Sequence, residues 1–439
     1  MHFRYLWLLM ILFQCLFGDF SLAETIDTTN QKDELLLKNL TVLDVINLEV
    51  LTDQHIYIKN GRIIGIYIGK SLPQDYKGPE MDLTGCTAIP GLIDAHCHLT
   101  RDTIQSLENA LRHGITTVRD MAGDGELLKS MQTDVREERM LGPDIYFSAV
   151  MGGHDFMQRD LRAKLSTPER YELGQAPWMH EVTNSGEIPG IIRTAVQFGA
   201  TGIKMYEDLS ADQVKALSEE AHRQGLLVWS HSFVIPATVD DVIDARADVI
   251  SHAPGLLYPD DWTLQKYGTL FMDRNILESG QLDRRLKAMK DTGMILDPTL
   301  AIFEEKIGRL EASDQVRNYR RNMTDLMRAV HKHKVSVVAG TDLELPKTQN
   351  DSPALYWELE LLCSYSGMSP LECLQAATIN GAKAIGIESR TGSITQGKWA
   401  DLVILNRNPT QNISHVQAIR FVIKHGKIVM PAAQKGEKL

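Results

Sequence analysis

Cysteine is scarce in this chain. Among 439 residues there are five, at positions 15, 86, 97, 363 and 373. Such a small number is sparse for an exported fold built on disulfides. Cys363 and Cys373 flank the turn at 367–370 and could pair, although sequence alone does not decide this. The cysteine content is therefore not typical of a disulfide scaffold.

Basic clusters and long apolar segments are also lacking. The formal net charge is −11 and no block of Lys and Arg occurs, so nucleic acid is not expected as a partner. Beyond the N-terminus no run is long and apolar enough to suggest a membrane span. The length favours one large α/β domain with a smaller one beside it.

One apolar run lies at the N-terminus, from Leu6 to Phe17, and the small residues Ser21-Leu22-Ala23 follow it. This pattern is typical of a secretory signal peptide, so we expect residues 1–23 to be removed. The mature protein would then be exported, periplasmic or secreted, with no membrane attachment. An uncleaved membrane anchor is the alternative.

The order of strand-like and helix-like segments predicts two domains. Short β-like runs at 34–88 and 388–432 predict a small β-sandwich built from both termini. Between them, residues 89–387 alternate strands and helices, which predicts a (β/α)₈ TIM-like barrel. The candidate strands are Ala88–Ile93, Thr116–Asp120, Asp144–Val150, Gly202–Met205, Leu226–Trp229, Asp248–Ile250, Met294–Asp297 and Val335–Ala339.

Metal-ligating residue types recur where these strands end. His96 and His98 are two apart, so in a strand their imidazoles point to the same side. This pair is a weak signal by itself. Chemistry in such barrels is carried at the carboxyl ends of strands, where four more candidate ligands occur: Lys204, His231, His252 and Asp342. Together the six predict a metal site rather than unrelated polar residues.

The same segments resemble a known family. PGLIDAHCH, LRHGITTVRD, GIK, the two later histidines, AGTD and GSITQGKWADLVIL resemble the metal-dependent amidohydrolase superfamily. They are most similar to its branch of imidazolonepropionase-like proteins and metal-dependent Xaa-Pro dipeptidases. The resemblance implies two divalent ions, expected to be Zn²⁺, and the following ligand sets: His96, His98 and Asp342 for the first ion, His231 and His252 for the second, and a carboxylated Lys204 bridging both.

Physical chemistry is compatible with this role for Lys204. An ammonium group beside two dications would be repelled, and a buried lysine readily becomes neutral. The neutral amine can add CO₂ to form an anionic carbamate. The alternative is an ordinary lysine paired with a carboxylate.

The sequence departs from the branch near two of these ligands. Ser251 stands where the branch often carries an acid, and Trp229 and Ser230 precede His231 in place of small apolar residues. These changes remove no ligand, but they weaken the substrate analogy.

Three further residues are candidates for other roles. The resemblance implies that His154, after two glycines, contacts substrate, the alternative being that it anchors its loop. Tyr206 could reach the pocket and bind substrate or only pack. Arg119 is expected to be a structural ion-pair partner.

The expected activity is hydrolysis of an amide or peptide bond in a small molecule, a dipeptide or N-acyl amino acid. A metal-bridging hydroxide would attack, and Asp342 would pass the proton to the leaving amine. The alternatives are a mononuclear deaminase, a lactonase or phosphotriesterase-type hydrolase, and a non-catalytic binding protein on the same scaffold. Metal stoichiometry would distinguish the mononuclear deaminase, and a substrate panel would distinguish the lactonase or phosphotriesterase. Loss of metal ligands would mark the binding protein. The sequence leaves self-association into a homo-oligomer open.

Overall fold

The computed structural model describes residues 34–73, 76–100, 104–262, 272–310 and 313–431. The predicted signal peptide lies outside these ranges, so its cleavage and the export of the protein stay predictions. Within the described ranges, no helix has both the length and the apolar character that a membrane span requires.

The described part of the chain begins with five strands. A hairpin joins the second and third at Asn60-Gly61, as the alternation of apolar residues on either side predicts. The first strand pairs with the second antiparallel and with the fourth and fifth parallel. They are β1 (Glu34–Asp44), β2 (Glu49–Lys59), β3 (Arg62–Ile68), β4 (Glu80–Asp82) and β5 (Thr87–Pro90).

Eight parallel strands then form the barrel. Each pairs with the next in chain order, apart from two short strands, β9 (Gln175–Ala176) and β10 (Met179–Glu181), which extend the sheet beside β8. The eight are β6 (Leu92–Cys97), β7 (Ile115–Asp120), β8 (Asp144–Gly152), β11 (Gly202–Met205), β12 (Leu227–His231), β13 (Val249–Ser251), β14 (Ile295–Asp297) and β15 (Ser336–Val337).

The first and last barrel strands meet. The backbone N–H of Ala95 donates to the carbonyl of Ala339 at 3.0 Å, and Cys97 pairs with Leu343 in a parallel bridge. The sheet is therefore closed, and the carboxyl ends of all eight strands face one end of the barrel.

Helices cover the barrel between these strands. Most carry one buried apolar face against the sheet, as for Val214, Leu217 and Ala221 on α6. They are α1 (Ile104–Arg112), α2 (Gly125–Arg136), α3 (His154–Arg159), α4 (Leu161–Leu165), α5 (Ile188–Phe198), α6 (Ala211–Arg223), α7 (Val239–Asp244), α8 (Arg274–Glu278), α9 (Gln281–Thr292), α10 (Leu300–Gly308), α11 (Asp314–Lys332), α12 (Ala354–Ser366), α13 (Pro370–Ala376) and α14 (Ile379–Ile385).

The chain returns to its first sheet at the end. β16 (Leu402–Leu405) pairs antiparallel with β5, and β17 (Ile419–Lys424) and β18 (Lys427–Val429) extend that edge. The predicted α/β architecture, a (β/α)₈ barrel with a small β-sandwich from both termini, is confirmed. The boundaries assigned to the domains stay predictions.

One predicted strand is wrong in its extent. Ala88–Ile93 is not a single strand, because the chain passes from β5 in the terminal sheet to β6 in the barrel at Gly91. A Cβ at this position would run into the side chain of Thr116, so the crossing requires glycine. The apolar run looked continuous because both strands are buried.

One disulfide and one ion pair connect elements of the fold. A disulfide links Cys363 on α12 to Cys373 on α13, which answers the question that the sequence left open. Lys424 at the end of β17 lies 2.7 Å from Asp144 at the start of β8 and ties the terminal sheet to the barrel.

Candidate metal centre

The barrel brings all six predicted ligands to its carboxyl end. His96 is in β6 and His98 follows it, while the remaining four come from β11, β12 and the residues just after β13 and β15. Ligand atoms of His96, His252 and Asp342 all lie within 4.8 Å of one another. The convergence follows from strand order alone, because neighbouring parallel strands end side by side.

Asp342 is the centre of the first predicted ligand set. Its Oδ1 lies 2.8 Å from Nε2 of His98 and 3.4 Å from Nε2 of His96. Burial by itself would raise the pKa of this carboxyl group, but the two histidines outweigh burial and hold the pKa well below its usual range. The carboxylate is therefore ionised and able to hold a cation at neutral pH.

His231 and His252 form the second predicted set. Their ring centroids are 4.6 Å apart, and His252 lies 5.4 Å from His96 by the same measure. Burial lowers the pKa of both imidazoles well below the ordinary value, and Lys204 nearby lowers each further. Both rings are thus neutral and keep a nitrogen lone pair, as a metal ligand must.

Lys204 is buried beneath these histidines. Its Nζ donates to Oγ of Ser251 at 2.9 Å, and among the residues that the structure describes no carboxylate lies within ion-pair distance. Burial lowers the pKa of the amine to about 7, with Arg119 acting in the same direction and Asp297 against it. A substantial fraction of the amine is then neutral near pH 7, the form that can add CO₂.

The donor set fits a pair of divalent ions. Four imidazoles and one carboxylate meet beside a lysine that can form an anionic carbamate. Imidazole and carboxylate groups are ligand types that suit Zn²⁺. Nδ1 of His98 and Nδ1 of His231 are buried without a hydrogen-bond partner in the described part of the chain. Buried polar atoms without a hydrogen-bond partner are rare in proteins, because protein groups, ordered water or an ion usually satisfy them.

A guanidinium group also reaches this cluster. Arg162, on the short helix α4, places Nη1 2.6 Å from Nε2 of His98 and 3.6 Å from Oδ1 of Asp342. Its side chain is 45% exposed and forms part of the wall of a cavity beside the cluster. Sequence reasoning missed Arg162, because α4 lies in an insertion between β8 and β11 and not at a strand end.

The seventh strand supplies a further acid that sequence reasoning missed. Asp297 ends β14, is fully buried, and places Oδ2 2.6 Å from Nδ1 of His96 and 3.1 Å from Oγ of Ser251. Arg119 lies 3.7 Å from the same oxygen, so Arg119 has the structural ion pair expected of it. Polar character at the end of an apolar strand, the criterion that selected the other ligands, would have found Asp297.

His154 and Tyr206 differ in their exposure and in their distance from the predicted ligands. His154 opens α3 with its side chain 66% exposed and Nδ1 3.0 Å from Glu181. Tyr206 is buried, its ring 4.5 Å from that of His231, and its hydroxyl donates to the carbonyl of Met121 at 3.1 Å. The ring of Tyr206 therefore packs on a predicted ligand while its hydroxyl is engaged away from it.

A cavity of about 230 Å³ opens onto the cluster. Its volume suits a small molecule rather than a protein chain. It is lined by His96, Phe156, Arg159, Asp160, Leu161, Arg162, Tyr206, Glu207, His231 and Asp342. His154 is not in this set.

Comparisons with known proteins agree with this architecture. The sequence model described as Amidohydrolase family matches residues 87–429. Ochratoxinase of Aspergillus niger is 24% identical in an alignment 396 residues long, which covers 77% of this chain and 75% of that protein. Imidazolonepropionase of Symbiobacterium thermophilum is 24% identical in an alignment 414 residues long, which covers 85% of this chain and 89% of that protein.

Solved structures share the fold. A Xaa-Pro dipeptidase with methionine bound in its active site aligns with a TM-score of 0.69 at 22% identity, over 90% of this chain and 100% of that one. The A. niger ochratoxinase structure aligns with a TM-score of 0.71 at 19% identity, over 92% of this chain and 96% of that one.

Proposed function

The chain belongs to the amidohydrolase family, and from that premise we propose that it is a binuclear metal-dependent hydrolase of small acidic amides. The resemblance predicted from the sequence motifs is confirmed, and with it hydrolysis of a carbon–nitrogen bond as the class of reaction. The finer proposal is that the scissile bond is the amide or peptide bond of a dipeptide or N-acyl amino acid. The single observation that carries the proposal is the convergence of six donor side chains at the carboxyl end of the barrel, where His96, His231 and Asp342 line the cavity.

The proposed ligand sets follow the predicted ones. His96, His98 and Asp342 would hold one ion, His231 and His252 the other, and the carbamate of Lys204 both. When bound, the ions would supply Lewis-acid polarisation of the scissile carbonyl and an activated water at neutral pH. The neutral amine of Lys204 would bond to the carbon of CO₂ and release one proton, which gives an anionic carbamate whose two oxygens come from CO₂.

Asp342 is proposed as the group that moves protons. Its carboxylate is ionised, lies at the floor of the cavity, and has a second oxygen besides the one beside His98. It would take the proton from the attacking water and deliver it to the leaving nitrogen. Phe156 and Tyr206, stacked with centroids 4.8 Å apart, would exclude bulk water from one wall.

Arg162 is proposed to bind the carboxylate of the substrate. Arg159, the other guanidinium of the cavity, already has a carboxylate partner, since its Nη2 lies 2.8 Å from Oε2 of Glu207. Arg162 instead has Asp342 as its nearest acid in an ion pair, and that carboxylate is assigned to a metal ion. A substrate carboxylate would give Arg162 the charge-assisted partner it then lacks.

We predict that Arg162→Gln harms acidic substrates selectively. A charge-assisted hydrogen bond contributes about 1.5–3 kcal/mol, so kcat/KM for an N-acyl amino acid should fall about 10- to 150-fold. The C-terminal amide of the same compound should lose much less. The measurement is kcat/KM for the matched acid and amide with the metal-loaded mature protein.

His154→Asn is the matched control for this prediction. His154 is exposed and does not line the cavity, so this change should alter kcat/KM for the acid by less than about threefold. A selective loss in His154→Asn would return the role to His154. Equal loss for acid and amide in Arg162→Gln would show that Arg162 binds no carboxylate.

A further inference from the structure

Asp297, the last residue of the seventh barrel strand, and Thr299, two residues beyond it, each contact a predicted ligand without being ligands themselves. Oδ2 of Asp297 lies 2.6 Å from Nδ1 of His96, and Oγ1 of Thr299 lies 2.9 Å from Nδ1 of His252. Both imidazoles, Asp297 and Thr299 are buried. We propose that the 297–299 segment positions both histidines for metal binding, one for each ion.

The hydrogen bonds determine which ring nitrogen is available. With Nδ1 held by Asp297, His96 turns Nε2 toward Asp342, 3.4 Å away. With Nδ1 held by Thr299, His252 has only Nε2 left to offer. A hydrogen-bond partner on the second ring nitrogen of a ligating histidine sets both the tautomer and the ring orientation.

The segment is itself firmly held. The N–H of His252 donates to the carbonyl of Asp297 at 2.8 Å, so β13 and the segment are joined by backbone as well as side chain. Beyond it, the N–H groups of Leu300 and Ala301 donate to the buried carboxylate of Glu358 at 3.1 and 2.7 Å. The backbone next to the segment is therefore anchored to α12 through Glu358.

Backbone conformation indicates that this arrangement is imposed. Thr299 has φ +51°, a left-handed conformation that a β-branched residue rarely adopts. His252 and Asp342 also have positive φ, +76° and +56°. Such strain is concentrated at functional sites, where the surroundings hold it in place.

Gly340 leaves the space that Asp297 needs. A Cβ at position 340 would lie 2.5 Å from Oδ1 of Asp297 and 2.6 Å from Cβ of His96. Any larger residue would separate the carboxylate from the imidazole. The glycine that precedes Thr341-Asp342 is thus explained by the Asp297–His96 contact.

The inference rests on the proposed binuclear site, and Zn²⁺ affinity tests it. Chelator competition would give the two stepwise dissociation constants of the wild type and of Asp297→Asn, Thr299→Val and Thr299→Ser. His98→Ala and His231→Ala serve as references, since each removes a proposed ligand of one ion. Each positioning residue lost should weaken one step by about 10- to 100-fold.

The expected pattern is selective. Asp297→Asn should weaken the step that His98→Ala weakens, and Thr299→Val the step that His231→Ala weakens, while Thr299→Ser retains wild-type constants because its hydroxyl remains. Should Asp297→Asn fail to fold because Arg119 loses its carboxylate, the Thr299 pair still decides.

Two outcomes overturn the inference. One is wild-type constants in Thr299→Val, and the other is equal weakening of both steps by each variant, which would indicate general loosening. A wild type that binds a single ion contradicts the binuclear proposal instead. In that case, loss of affinity in Thr299→Val with recovery in Thr299→Ser would still support positioning.

Discussion

Asparagine in place of Asp342 is expected to lower kcat by about 100- to 10,000-fold, the usual range for losing a general acid–base group. The amide keeps an oxygen that can face a cation, but it cannot accept a proton in this role. Much of the metal binding should therefore survive. Steady-state kinetics at measured metal occupancy would check the result.

A nearby carboxylate provides the control. Glu344 is two residues further along, partly exposed, and 2.9 Å from Lys347 at the surface. Glu344→Gln should change the activation free energy for kcat by no more than a few tenths of a kcal/mol relative to the wild type. Near-normal kcat in Asp342→Asn at full metal occupancy would show that another group moves the proton.

Replacement of Lys204 by methionine should have an effect at least as large. The variant cannot form a carbamate, so both ions should lose their shared anionic ligand. Lewis-acid stabilisation is worth several kcal/mol, and each 1.36 kcal/mol is tenfold, so kcat should fall about 1,000-fold or more. Elemental analysis and kinetics on the same preparation would measure both effects.

Stability separates this loss from misfolding. Lys204 is buried with only Ser251 as a hydrogen-bond partner for Nζ in the described chain, and methionine fills a similar volume without a polar group. The thermal midpoint of the metal-free variant should therefore equal or exceed that of metal-free wild type. Lys215→Met, an exposed change on α6, should alter neither activity nor metal content. Full activity in Lys204→Met would show that no carbamate on Lys204 is needed for the reaction.

The fold was predictable because its signals are local and repeated. Each barrel strand is a short apolar run followed by helical spacing, and the structure shifts most boundaries by only a few residues, as in Leu226–Trp229 against Leu227–His231. The error at Gly91 has a specific cause. Two buried strands in different sheets follow each other with one residue between them, and periodicity does not distinguish one buried strand from two.

The ligand cluster was predictable for a related reason. Parallel strands in sequence order place their ends together, so a list of polar strand ends is also a list of neighbours. Asp297 satisfies this criterion too, as the last residue of the apolar strand β14. The departure at Ser251 is better understood from the structure, since the carboxylate of Asp297 on the next strand lies 3.1 Å from its hydroxyl.

The cavity wall was less predictable. Arg162 and Arg159 belong to two short helices inserted after β8, whose positions depend on tertiary packing rather than on a repeated pattern. The substrate contact predicted for His154 stays a prediction. His154 is the first residue of α3, and its side chain lies beside Glu181 and is largely exposed.

The binuclear proposal is best tested by measuring the metal and carbamate stoichiometry of the wild-type protein. The protein would be purified without chelators in buffer containing ¹³C-bicarbonate, then analysed for metal content and for a carbamate carbon by NMR. We predict two divalent ions and one labelled carbamate per chain. A single ion at saturation, with Lys204 unmodified, would contradict this prediction and favour the mononuclear deaminase.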